Sequence, residues 1–411
     1  LPKEDPITAP IVKEVLGPDA ESVALAWRFP GASSKDFEIL QVVSQVLYNG
    51  QAGLIDLNLN QQQKVLNSYG YPMGLADYSA LILGGQPKQG QTLEEVKDLL
   101  LSEIKKLRTG EFDEKMLQAN INNFKLNELQ SMESNEGRAD MFVNSFIDGT
   151  NWEDEVTAID RMAKLTKEDI AAFANQYLKE DNYAVIYKKQ GKDPNEKKMT
   201  KPEITPIVSN RDVTSPFLTS IQESVVKPIE PVFLNFKKDM SQLTAKSDIP
   251  VLYKQNVAND LFQLIYVFDM GNNNDKALGT SDMTPEELKS EFYRLACTFY
   301  VSPGNERTYV VLSGLNENMP AAMQLFEKLL ADAQVNKEAY ENLVEDILKA
   351  RTDAKLNQGK NFSRLMNYAM YGPQSPATNV LTEAELISMN PQELVDRIHN
   401  QNNYKHRILY Y

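Results

Sequence analysis

Histidine is almost absent: the 411 residues hold two, His399 and His406. That excludes much hydrolytic chemistry at once. A zinc hydrolase needs two or three imidazole or carboxylate ligands with histidine prominent among them, and a Ser–His or Cys–His enzyme needs an imidazole beside its nucleophile. Cysteine is scarcer still. Cys297 stands alone, which excludes a disulfide framework and any cysteine-rich metal site. No run of about 18 apolar residues occurs, so no transmembrane helix is expected. Basic charge is in deficit, with 43 Lys and Arg against 57 Asp and Glu and a net charge of −14. Nucleic acid is therefore not an expected partner, because phosphate binding is driven by an excess of Lys and Arg. What remains is ordinary: 42% hydrophobic and 24% charged residues, in a chain long enough for roughly two or three domains with cores of their own. It opens on Leu1 without a charged-then-apolar leader, and is expected to be a mature or excised piece of something longer.

Hydrophobic spacing organises the chain. Residues 1–22, broken by Pro2, Pro6, Pro10 and Pro18, read as an extended lead-in. Val23–Phe29 predicts a strand, and a helix capped by Ser33 or Ser34 follows with Phe37, Leu40, Val43 and Leu47 on one face. Tyr78–Leu83 is a second strand, ended by Gly84–Gly85. Thr92 and Glu95 form a capping box for a helix that Gly110 stops, and another helix runs through Met116, Leu117, Ile121 and Phe124. A helix capped at Thr166 leads into the strand Tyr183–Tyr187. The Lys- and Pro-rich stretch from 191 to 247 reads as a solvated linker rather than a patch for an acidic partner. Beyond it lie strands at Val251–Tyr253, Leu261–Met270 and Tyr309–Leu312, a helix capped near Asn318, another through Tyr340–Leu348, and a helix capped by Asn390 that leads into Arg407–Tyr411.

These lists repeat one another. A strand followed by two helices recurs about 230 positions on, and 165–188 matches 388–411 as capped helix, tyrosine-containing turn and closing strand. The expected fold class is α+β: two homologous two-layer sandwiches at 1–190 and 248–411, joined by the linker 191–247, each an antiparallel or mixed sheet with helices on one face.

None of the reactive side chains forms a convincing constellation. His399 and His406 lack a third ligand and helical i,i+4 spacing. Asp269–Asp275 (DMGNNND) falls out of calcium-loop register. Gly84–Gly85 lacks a P-loop lysine. Glu338, Glu341, Glu345 and Asp346 read as the solvated side of an amphipathic helix, Cys297 as a small buried hydrophobe, and Asn361-Phe-Ser as a glycosylation sequon by pattern only. No catalytic or metal residue is assigned, and no substrate-binding residue is identified.

The segments ESVALAWRFPGASSKDFEILQVVSQVLYNGQAGLIDLNL (21–59), GQTLEEVKDLLLSEIKKLRTGEFDEKMLQANINN (90–123) and LFQLIYVFDMG (261–271) resemble the pitrilysin/insulinase zinc metallopeptidases, the M16 family. The resemblance implies a LuxS/M16-type metallopeptidase fold in both repeats. Full-length members of the family carry four related domains in two linked halves, closing around a peptide-holding chamber. Their zinc sits in the first domain on an inverted H-x-x-E-H motif. This chain has no H-x-x-E-H; after VFDMG (267–271) comes NNNDKALG, with neither His nor Glu. The resemblance therefore implies the non-catalytic second and third domains of such a peptidase. Zinc is expected only in a missing N-terminal catalytic domain, and this chain alone is expected to be inactive. The implied partners are a peptide substrate and the parent's missing catalytic and C-terminal domains, in the periplasm or cell envelope. The helix that family members carry after that Gly is not visible here, as if it were deleted or as if residues were missing between Gly271 and Thr280. Two other readings stay open: an inactive M16-like scaffold or partner subunit, and an unrelated two-domain envelope binding or assembly protein, which would require the repeats to differ in fold.

Overall fold

The computed structural model describes residues 3–194, 201–206, 209, 211, 213–271, 286–304, 306–375 and 377–411. The first unit is a five-stranded sheet built from β1 (Ile11–Gly17), β2 (Ser22–Pro30), β3 (Asn67–Met73), β4 (Tyr78–Gln86) and β5 (Tyr183–Gln190), in the order β1-β5-β2-β4-β3. β1 and β5 run parallel and every other neighbouring pair is antiparallel. Its helices are α1 (Lys35–Leu47), α2 (Leu93–Thr109), α3 (Lys115–Ser131), α4 (Asn135–Asp148), α5 (Trp152–Val156), α6 (Ala158–Met162) and α7 (Lys167–Tyr177). Two short helices, α8 (Pro216–Gln222) and α9 (Phe236–Asp239), lie in the stretch that follows.

The second unit is a six-stranded sheet of β6 (Ser241–Ala245), β7 (Ile249–Tyr253), β8 (Leu261–Phe268), β9 (Cys297–Pro303), β10 (Thr308–Leu315) and β11 (His406–Tyr410), ordered β6-β7-β11-β8-β10-β9. Its helices are α10 (Glu286–Arg294), α11 (Met319–Asp332), α12 (Lys337–Ala354), α13 (Gln358–Tyr371), α14 (Glu383–Ser388) and α15 (Gln392–His399). Setting β6 aside, the two strand orders are the same, and so is the sense of every pairing, including the single parallel pair, β1–β5 in one unit and β7–β11 in the other. The molecule is thus α+β, with two separate mixed sheets. An unrelated two-domain protein with differing repeats does not fit this topology.

Local chemistry explains the elements. β2 alternates strictly, burying Val23, Leu25, Trp27 and Phe29 and leaving Ala24, Ala26 and Arg28 half-covered, as a one-sided strand requires. α1 starts at Ser34, whose hydroxyl accepts from the Phe37 amide. α2 carries the full capping box: Thr92 Oγ1 accepts from Glu95 N at 3.2 Å, and the Glu95 carboxylate accepts from Thr92 N at 2.7 Å. The helix stops at Gly110, whose φ of 71° only glycine adopts without strain. α1, α2 and α7 lay Leu40, Val43, Leu100, Leu107, Ile170 and Phe173 on the β2–β4 face to make one core. In the second unit Phe262, Leu264 and Phe268 of β8 and Leu312 of β10 meet Phe292, Ala322 and Phe326 in a smaller core.

Several elements depart from the sequence reading. The lead-in supplies β1, and β3 forms despite Gly70 and Pro72. β4 continues through Gly84 and Gly85 to Gln86 instead of ending there. Ser241–Ala245, inside the stretch read as linker, is the edge strand β6. Asn318 does not cap α11 with its side chain; its amide donates instead to Leu295 O at 2.7 Å. α3 adds Met116, Leu117 and Ile121 to the main core of the first unit, whereas α12 builds a separate small core with α14 through Tyr340, Val344, Ile347 and Leu386. The segment expected to show a missing helix, 272–285, lies outside the described residues.

Candidate functional site

The sequence-chosen residues are scattered. His406 opens β11, buried, with Nδ1 2.7 Å from Tyr404 O and its ring 5.1 Å from that of Phe268. His399 ends α15 in an exposed position. Among the described residues no group of three or more His, Cys, Asp or Glu side chains could hold a metal, so these residues offer no fit for zinc. Asp269 pairs with Arg407 at 3.0 Å; the remainder of the DMGNNND loop, from Asn272, lies outside the described residues. Gly84 and Gly85 serve packing: a Cβ on Gly84 would strike the Tyr69 ring at 2.3 Å, and one on Gly85 would strike Val96 of α2 at 2.5 Å. Glu338, Glu341 and Glu345 are exposed on α12, with Glu341 3.6 Å from Lys337. Cys297 is buried, and burial pushes its thiol up to about 12, away from the reactive range. Asn361 is exposed on α13 and donates to Lys355 O.

What the structure does bring together is a polar junction between the two units, which sequence spacing does not reveal. Tyr293, at the end of α10, is buried against Ala52 and Ala119. Its hydroxyl donates to Asn120 Oδ1 on α3 at 2.8 Å and lies 3.3 Å from Gln45 Oε1 on α1. Asn123 Nδ2 donates back to Tyr293 O at 2.7 Å. Leu126 of α3 meets Leu261 and Ala296 beside it. Asp346, the one member of the α12 acidic set that is drawn in, faces Lys88 at 3.4 Å across the same boundary; burial raises its carboxyl and the Lys88 ammonium opposes that.

Asp56 sets the geometry of this junction. It sits in a single π turn, Asp56–Asn60, 3% exposed. One carboxylate oxygen accepts the backbone N–H groups of Asn49, Gly50 and Gly53 at 2.9, 3.0 and 3.0 Å. That fixes the loop carrying Ala52, which packs on Tyr293. Desolvation outweighs those three hydrogen bonds and the Lys289 charge, and the carboxyl is raised to about 6. Only one feature of this loop is visible in sequence, the close spacing of Gly50 and Gly53 ahead of an acid. The arrangement can hold two units in register and respond to pH.

The fold and junction define a duplicated mixed-sheet protein joined through a hydrogen-bonded seam. Residues 1–124 match the family described as the peptidase M16 inactive domain. No curated protein sequence matches the chain. Among solved structures it is similar to pitrilysin (11% identity, 97% of this chain and 46% of that one, TM-score 0.48). It is similar also to the periplasmic protease PqqL from Escherichia coli (12%, 99% and 49%, TM-score 0.36). A third is a mutant of the ferredoxin protease FusC in complex with Arabidopsis ferredoxin (11%, 100% and 50%, TM-score 0.41). The chain spans about half the length of each of these three structures.

Proposed function

We propose that this chain is the non-catalytic middle of an M16-type zinc metallopeptidase, shaping a peptide-holding chamber while zinc and catalysis reside in a separate domain. Residues 1–190 would be the parent's second domain, 191–247 its interdomain linker and hinge, and 248–411 a degenerate third domain. The observation that carries the reading is the match of residues 1–124 to the M16 inactive domain, followed in the chain by a second sheet of the same strand order and pairing. Two uncovered helix faces support it. α4 exposes Phe142, Phe146 and Ile147, with Phe146 87% exposed, and α13 exposes Phe362, Leu365 and Met370. Each is the helix that follows the strand-and-two-helix repeat, and we assign both as surfaces on which the parent's flanking domains pack. A periplasmic location is proposed with it, as is printed for the PqqL protease.

The purified chain is expected to hold no stoichiometric zinc by elemental analysis after zinc loading and dialysis, and to leave peptides intact. One tightly held zinc per chain, or peptide hydrolysis that a chelator stops, would overturn the proposal. An inactive scaffold or partner subunit shares those outcomes. The two separate on the coding sequence upstream of Leu1: an H-x-x-E-H motif there supports the peptidase, and a domain without it supports the scaffold.

A further inference from the structure

The second unit has an opening between its closing helix and its sheet, at a place where aromatic side chains pack in the first unit. In unit one, Trp27 of β2 lies opposite Tyr183 of β5, with ring centroids 5.3 Å apart. In unit two the matching register places Phe268 opposite His406, with centroids 5.1 Å apart. Beyond the first pair the space is full: Phe29 stacks on Phe173 at 5.8 Å and meets Tyr177 at 5.0 Å. α7 brings Ile170, Phe173 and Ala174 there, all buried. α15 buries only Val395, and its one ring, that of His399, sits exposed at the helix end, so α15 brings no buried ring to the sheet as α7 does. A cavity of about 470 Å³ remains between α11, α15 and the sheet. The opening is of ligand size and reaches solvent beside the exposed Glu327 and His399, so a small molecule can enter it.

Its walls state the chemistry of that occupant. Tyr266 and Phe326 face it with centroids 5.9 Å apart, and Phe268 and Ile398 add apolar surface. Glu327, next to Phe326 on α11, brings a carboxylate to the same space, near enough to Tyr266 to reinforce the upward push that burial gives its phenol. Among the described residues no lysine or arginine lines the cavity. Aromatic faces attract cations through the ring quadrupole, and a neighbouring carboxylate adds a charge-assisted hydrogen bond.

We infer that this cavity binds an organic ammonium bearing an apolar group, with the cation over the Tyr266 and Phe326 rings and against the Glu327 carboxylate, and the apolar group toward Phe268 and Ile398. The site stands independently of the peptidase reading. Either a free amine or the amino terminus of a peptide with an apolar first residue carries this chemistry.

Calorimetric titration of the whole chain tests it with 2-phenylethylammonium, with uncharged 2-phenylethanol, and with a tripeptide beginning in Phe, its amino end free or acetylated. The ammonium is expected to bind at least about tenfold tighter than the alcohol. The exposed substitution Glu327→Gln is expected to weaken it about tenfold with the far-ultraviolet circular dichroism unchanged, and His399→Trp, which fills the mouth, to abolish it. Binding of the free but not the acetylated peptide assigns the peptide terminus as the source; binding of the small amine alone assigns a free amine. No binding of any ammonium at millimolar concentration, equal binding of ammonium and alcohol, or a Glu327→Gln variant of parental affinity would overturn the site.

Discussion

The two units share a strand order and differ in how completely they are filled. In the first, β2 buries Val23, Leu25, Trp27 and Phe29 to 2% exposure or less, and three helices close over them. In the second, β8 presents Phe262, Leu264 and Phe268 to a thinner cover, part of its helical layer is diverted into the separate α12–α14 core, and a cavity stays open beside Tyr266. Topology and packing quality are therefore separable. Backbone pairing and the sense of each connection can be kept while core volume drifts, because hydrophobic patterning selects the fold and jigsaw complementarity adds stability on top of it.

The largest expected effect sharpens that contrast. Leu25→Ala, at a fully buried position in a tight core, is expected to cost about 3–5 kcal/mol, whereas Leu264→Ala is expected to cost about 2 kcal/mol because its surroundings can collapse around the gap. Urea denaturation of the two variants checks this, and equal losses would break the comparison.

Asp56 comes next. Asp56→Ala strands three loop amides and is expected to cost about 2–4 kcal/mol. Asp56→Asn keeps an acceptor and should be no less stable than the parent at pH 7.5. The sign follows from linkage. The folded carboxyl is raised from 3.8 to about 6, so the native state holds the proton over that interval when the unfolded chain has released it. The contribution of this group is most favourable below about pH 4 and falls as pH rises to about 6, by roughly 3 kcal/mol in all. The difference in stability between parent and Asp56→Asn, followed from pH 4 to 7, should trace that slope; a flat difference would show that the buried carboxyl does not titrate there.

Tyr293→Phe leaves Asn120 without its donor at the seam and is expected to cost about 1–2 kcal/mol. Thr92→Ala, which removes one half of the capping box on exposed helix surface, is expected to cost about 1 kcal/mol. Thermal melts of both variants rank them, and a Thr92→Ala loss larger than that of Tyr293→Phe would show that the seam hydrogen bond matters less to stability than a surface helix cap.

Much of the first unit was legible in sequence because its signals are local. The alternation of β2, the Ser34 cap and the Thr92–Glu95 box each involve residues a few positions apart, and each was found in place. The misses have physical causes. β1 is an exposed edge strand, so its residues carry no inside–outside alternation. β3 holds Pro72, which an edge strand tolerates and a central strand does not. β4 outran its glycines because Tyr69 and Val96 occupy the space that side chains there would need. The seam was beyond reach altogether: Tyr293 meets Asn120 and Gln45 only after both units have folded, and no periodicity links residues so far apart.

The claim on which the rest stands is that one fold is repeated, tightly packed once and loosely once. Both tryptophans, Trp27 and Trp152, lie in the first unit, so their fluorescence reports that unit while far-ultraviolet circular dichroism reports both. Followed together through a urea titration at neutral pH, the dichroism should begin to fall at lower urea than the fluorescence, as the second unit opens first. Coincident transitions at one midpoint would contradict it.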